Sequence, residues 1–153
     1  MTLNRRTLLT FGASLPVLAL TANAGFAQST PTFYAEDGIA IDGTDPVAYF
    51  TEGAPVAGDP AITHEWMGAT WRFASTANKD AFVANPEAYA PQFGGYCSWA
   101  VAEGYTASTT PEAWTIVDDK LYLNYSRRIQ RRWEKDIPGN ITRATANWPK
   151  ILG

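Results

Sequence analysis

The sequence predicts an α+β fold, in which small antiparallel β-hairpins pack with several short helices inside a single domain. Three observations carry that prediction. Residues 63–73 and 114–123 each alternate apolar and polar positions around a central two-residue turn, the pattern of a hairpin with one buried face. Stretches behind Ser75, Ser126 and Asn140 repeat apolar residues at helical spacing after a capping residue. The 153 residues, 46% hydrophobic and 13% aromatic, suffice for one well-filled domain and would be crowded as two.

At the N-terminus, Arg5 and Arg6 precede an apolar run from Leu8 to Leu20, followed by small residues at Ala22, Ala24, Gly25 and Ala27. This is the layout of a cleaved export signal over residues 1–27. The run is interrupted by Gly12, Ser14 and Pro16 and falls short of the ~20 apolar residues that span a bilayer, so no transmembrane segment is expected in the mature protein. Asn4-Arg5-Arg6-Thr7-Leu8-Leu9 resembles a twin-arginine signal, with Thr10 where a lysine usually follows; a general secretory signal is the alternative. Cleavage fits Ala22-Asn23-Ala24 or, preferably, Gly25-Phe26-Ala27. The expected location is the periplasm. Residues 28–37, with Ser, Thr and Pro between Gln28 and Phe33, read as a flexible lead-in, and residues 38–153 as the folded domain.

Within that domain, Asp45 is placed to cap a short helical turn that starts at Pro46. In the first hairpin, Gly68-Ala69 fits a type II′ turn. That turn pairs Trp66 with Trp71, Glu65 with Arg72 and His64 with Phe73, putting His64, Trp66, Trp71 and Phe73 on one apolar face and an exposed Glu65–Arg72 ion pair on the other. Ser75 or Thr76 caps a helix that runs to Ala84, and Asn85-Pro86 stops it. The second hairpin opposes Ile116 to Leu121 and Trp114 to Leu123 across Asp118-Asp119, which read as turn residues rather than paired catalytic carboxylates. A helix behind Ser126 buries Ile129, Trp133 and Ile137 until Pro138-Gly139, and a last helix from Asn140 buries Ile141, Ala144 and Trp148.

Without residues 1–27 the chain has 10 basic residues against 15 acidic ones, a formal charge of -5. Nucleic acid, which requires a basic footprint, is therefore not an expected partner. Arg127, Arg128, Arg131 and Arg132 form the one basic cluster. It reads as a solvated helix face or as a surface for an acidic protein partner.

Several of these segments together resemble a known family. Asp45-Pro46-Val47, the run from Gly68 to Ser75, Phe82, Asn85-Pro86-Glu87 and Tyr89 look like the YHS domain. Gly94-Gly95-Tyr96-Cys97, Trp114-Thr115-Ile116-Val117-Asp118, the run from Lys120 to Tyr125, and Asn147-Trp148-Pro149 extend the likeness to the exported YHS domain-containing (seleno)protein family. The resemblance implies a single YHS-like domain with a C-terminal helical extension, associated with heavy-metal handling. It also implies metal ligands at two positions occupied here by Ala48 and Ala74, and selenocysteine in some relatives at the position of Cys97.

Candidate chemistry centres on Cys97, the only cysteine, so no intrachain disulfide can form. It reads either as a buried small hydrophobe or as a site thiol. A helix starting after Gly94-Gly95 would place it in the first turn, where the helix dipole lowers a thiol pKa. Gly94, Gly95 and Tyr96 beside it are candidate ligand-binding positions. His64, the only histidine, is either a hydrogen-bonded core imidazole or, if close to Cys97, a second ligand for copper or zinc, with Asp45 and Met67 as further candidates. The expected function is a periplasmic YHS-domain binding module for a soft metal ion or a small ligand near Cys97. The alternative is a thiol-redox protein working with an external partner. No nucleophile signature points to an enzyme.

Overall fold

Turn chemistry sets the first sheet. The structure, a computed structural model, describes residues 30–153; the export signal read from residues 1–27 lies outside them. Strands β1 (Ala35–Glu36), β2 (Ile39–Ala40), β3 (Asp59–Trp66) and β4 (Ala69–Phe73) form one sheet in the order β1-β2-β4-β3, with α1 (Ala48–Thr51) in the connection from β2 to β3. The β3–β4 turn consists of Met67 and Gly68, at φ 52° and 80°, one residue earlier than expected. Two positive φ values are the type I′ requirement, whose twist matches the flanking strands.

This corrects the pairing. Trp66 opposes Ala69, Glu65 opposes Thr70 and His64 opposes Trp71, so the expected Glu65–Arg72 pair does not form. Instead Thr70 Oγ1 donates to Glu65. Moving the turn by one residue changes each partner by two, and a shift of two preserves the face. His64, Trp66, Trp71 and Phe73 therefore still share a side, packed under α2 (Thr76–Ala84) through Phe82. Ser75 caps α2 by accepting from the Asn78 N–H at 3.1 Å. Pro86 ends α2 and, at a first-turn position, opens the short α3 (Pro86–Tyr89).

The second hairpin, β5 (Trp114–Val117) with β6 (Lys120–Leu123), has the expected register, with Asp118 and Asp119 at φ 50° and 60° in a type I′ turn. Its two faces serve different cores. Trp114, Ile116, Leu121 and Leu123 pack with the first sheet and α2. Tyr122 and Val117 face the other way, into a cluster with Phe93, Tyr96, Val101, Trp133 and Ala144. The helices of that second core are α4 (Ser98–Glu103), α5 (Arg127–Trp133) and α6 (Ile137–Asn147).

Two expectations change here. Pro138-Gly139 does not end the α5 segment; it lies in the first turn of α6, capped by Asp136, which accepts from the Gly139 N–H at 3.0 Å. Pro lacks only an N–H that the first turn would leave unpaired, so it starts a helix as readily as it stops one. The lead-in, from Thr30 on, is docked rather than loose: Thr30 N–H donates to Leu152 O, Tyr34 N–H donates to Gly94 O, and Phe33 is buried in the first core.

Candidate functional site

Cys97 is positioned by the turn before it and the helix after it. Phe93, Gly94 and Gly95 take φ of 54°, 63° and 74° in the tight turn Gln92–Gly95, reversing the chain ahead of α4. The two glycines admit close neighbours, and those neighbours are the protein itself. A Cβ on Gly94 would collide with Thr32 O, and one on Gly95 would lie 2.8 Å from Ile41 Cγ2. Gly95 O accepts from Thr109 Oγ1 at 2.9 Å, and Tyr96 Oη donates to Pro31 O at 2.8 Å. Gly95 and Tyr96 thus serve packing.

Cys97 is the N-cap of α4 and not a residue inside its first turn, and it is 1% exposed. Its thiol is occupied on both sides. The S–H donates to Asn124 Oδ1 at 3.6 Å, and Sγ accepts from the Tyr125 N–H at 3.2 Å. Burial pushes the thiol pKa up from its ordinary 9.0, and the backbone N–H groups of Ala100, Tyr125 and Trp99 pull the other way without overcoming it. The expected lowering is therefore corrected: Cys97 stands outside the first turn, and the desolvation of a buried thiolate outweighs the N–H groups that face it.

Asn124 is a residue that sequence reasoning missed. It follows β6 directly, fully buried, and its main chain joins Ala113 O and the Thr110 N–H. Its Oδ1 also accepts from the Trp99 N–H at 3.1 Å, which fixes the amide orientation because a flipped amide would set donor against donor. Asn124 Nδ2 and Ser98 Oγ are left without protein partners. The available signal was positional: a polar side chain at a strand end, within reach of the next helix start.

Cys97 floors a pocket of about 220 Å³ whose walls are Trp99, Ala100, Ala107 and Ile129, with the exposed rings of Tyr105 and Tyr125 at the rim. The wall side chains are apolar or aromatic. Of the arginine cluster on α5, Arg132 places its guanidinium 5.4 Å from the Trp99 ring centroid. No described arginine of the four has an acidic partner, since the ion pair among the described residues is Arg143 with Asp136.

The other candidates stand elsewhere. His64 lies on β3, its ring 6.4 Å from Phe82 and its strand partner Trp71. Met67 is exposed at the hairpin turn. Asp45 is fully buried and committed: Oδ1 accepts from Val47 and Ala48 N–H at 2.8 and 3.3 Å, and Oδ2 from Ala74 N–H and Asn78 Nδ2 at 2.8 and 2.7 Å. One carboxylate thus ties together Ala48 and Ala74, the two positions where the YHS resemblance implies metal ligands. Among the described residues, no three or more His, Cys, Asp or Glu side chains are grouped to hold a metal ion, so Cys97, His64 and Asp45 are not brought together as such a group.

Searched against protein-family models, curated proteins and solved structures, the chain matches none. Among the described residues no helix is long and apolar enough to cross a membrane.

Proposed function

We propose that the protein is an exported, YHS-type binding module that takes a small, largely apolar ligand group in the pocket above Cys97. The pocket itself carries this reading: about 220 Å³ of space, walled by apolar and aromatic side chains, ends on a thiol held by Asn124 and Tyr125. An engineered apolar cavity of ~150 Å³ holds benzene, so this volume suits a ring or a short branched chain. The thiol contributes a polarizable, weakly polar floor. Copper or zinc binding would draw on the same sulfur but lacks a grouped second and third ligand among the described residues. Thiol-redox work has less support, because the sulfur is buried and favours its protonated form.

The test is an NMR titration of the full-length protein with toluene. Perturbed amides at Trp99, Ala100 and Ala107 are expected, and Ala107→Leu, which fills the space from a partly exposed wall, is expected to abolish them. Unperturbed amides at saturating toluene, or perturbations that survive Ala107→Leu, would overturn the reading.

A further inference from the structure

A second and larger opening, of about 470 Å³, shares no lining residue with the thiol pocket. It lies where the two cores meet, and its size falls in the usual range for small-molecule sites. Each core contributes a pair of rings. Phe33 packs on Trp66 with centroids 5.1 Å apart, and Phe93 packs on Trp148 at 6.2 Å. Phe93 reaches its place through a left-handed backbone, φ 54°, which bulky residues adopt uncommonly. The lining has one acid and one base, Glu87 and Lys120, beside the uncharged polar Thr32 and Gln92; both charged residues are exposed, and they do not pair with each other.

We propose that this cleft binds a small planar aromatic ligand bearing both an ammonium and a carboxylate group, the chemistry of an aromatic α-amino acid. The aromatic side chains in the lining suit a flat apolar body. The charges define the rest. A monoanion would gain from Lys120 and be repelled by Glu87, a monocation the reverse, and an uncharged ring would use neither. A zwitterion satisfies both. The site does not depend on Cys97 or on the proposed role of its pocket.

The experiment is calorimetric titration of the full-length protein with L-phenylalanine, phenethylamine and 3-phenylpropionate at low ionic strength. L-phenylalanine is expected to bind tightest. Glu87→Lys is expected to weaken it on the order of fivefold while strengthening 3-phenylpropionate, and Lys120→Glu to weaken it similarly while strengthening phenethylamine, as befits exposed charges. The double exchange restores L-phenylalanine binding, because rotation about its Cα–Cβ bond exchanges the places of the ammonium and carboxylate while the ring stays put. The proposal is overturned if none of the three probes binds at roughly millimolar concentration, if all three bind alike, or if the charge exchanges have no effect in proteins whose thermal midpoints match the parent.

Discussion

Burial and hydrogen bonding pull the Cys97 thiol's pKa in opposite directions, and burial is the stronger. The consequence is a definite pH dependence. Between the thiol's ordinary 9.0 and its higher folded value, the unfolded chain has released a proton that the folded chain keeps, so stability declines with rising pH in that window. The raised tyrosines, Tyr34, Tyr49, Tyr96 and Tyr122, act with the same sign from their ordinary 10.0 upward. Urea midpoints from roughly pH 8 to pH 10 are therefore expected to fall less steeply in Cys97→Ala than in the parent. Identical slopes would show that the thiol does not contribute. At this scale the sequence pointed to the right residue, since one cysteine flanked by glycines and aromatics is conspicuous. Its partners were not legible: Asn124 lies 27 positions away in the chain and meets Cys97 only through the fold. Asp45 was legible as a cap but not as the brace of Ala74 and Asn78, for the same reason.

Among the elements, hairpin faces were readable and one register was not. Alternation fixed which side of β3 and β4 is apolar, whereas the register depended on which dipeptide turns, and Met67-Gly68 was harder to see than Gly68-Ala69 because Met rarely adopts positive φ. Asp118-Asp119 posed no such problem, as aspartate tolerates the left-handed region. The strain suggests a simple improvement. Met67→Asn places an Asn-Gly pair in the type I′ turn and is expected to raise stability by about 0.5–1 kcal/mol, measured as a higher urea midpoint with an unchanged slope. A midpoint that stays put or falls would mean that the Met67 side chain contributes more than its backbone costs.

For the whole molecule, the α+β class followed from hairpins and caps, but the division into two cores did not. Period-two patterns assign the faces of a hairpin to inside and outside, and here both are inside: Leu121, Tyr122 and Leu123 are 0, 4 and 1% exposed. A buried polar-seeming position such as Tyr122 reads as solvent-facing until the helices from the far end of the chain cover it. The pockets were illegible for a related reason, since each is assembled from segments distant in sequence. The shared strand also means that neither half is expected to fold alone. A chain severed after Tyr105, in the exposed stretch before β5, yields an N-terminal piece holding Phe93, Tyr96 and Val101 without Trp133, and a C-terminal piece holding Leu121 and Leu123 without Trp71 and Phe82. Each fragment alone is expected to be unfolded by circular dichroism, and an equimolar mixture to regain the intact spectrum. Independent folding of either piece would refute that. If the mixture does reassemble, β6 acts as the keystone of a self-complementing pair, and the break at residue 105 becomes a place where the protein can be split and rejoined on demand.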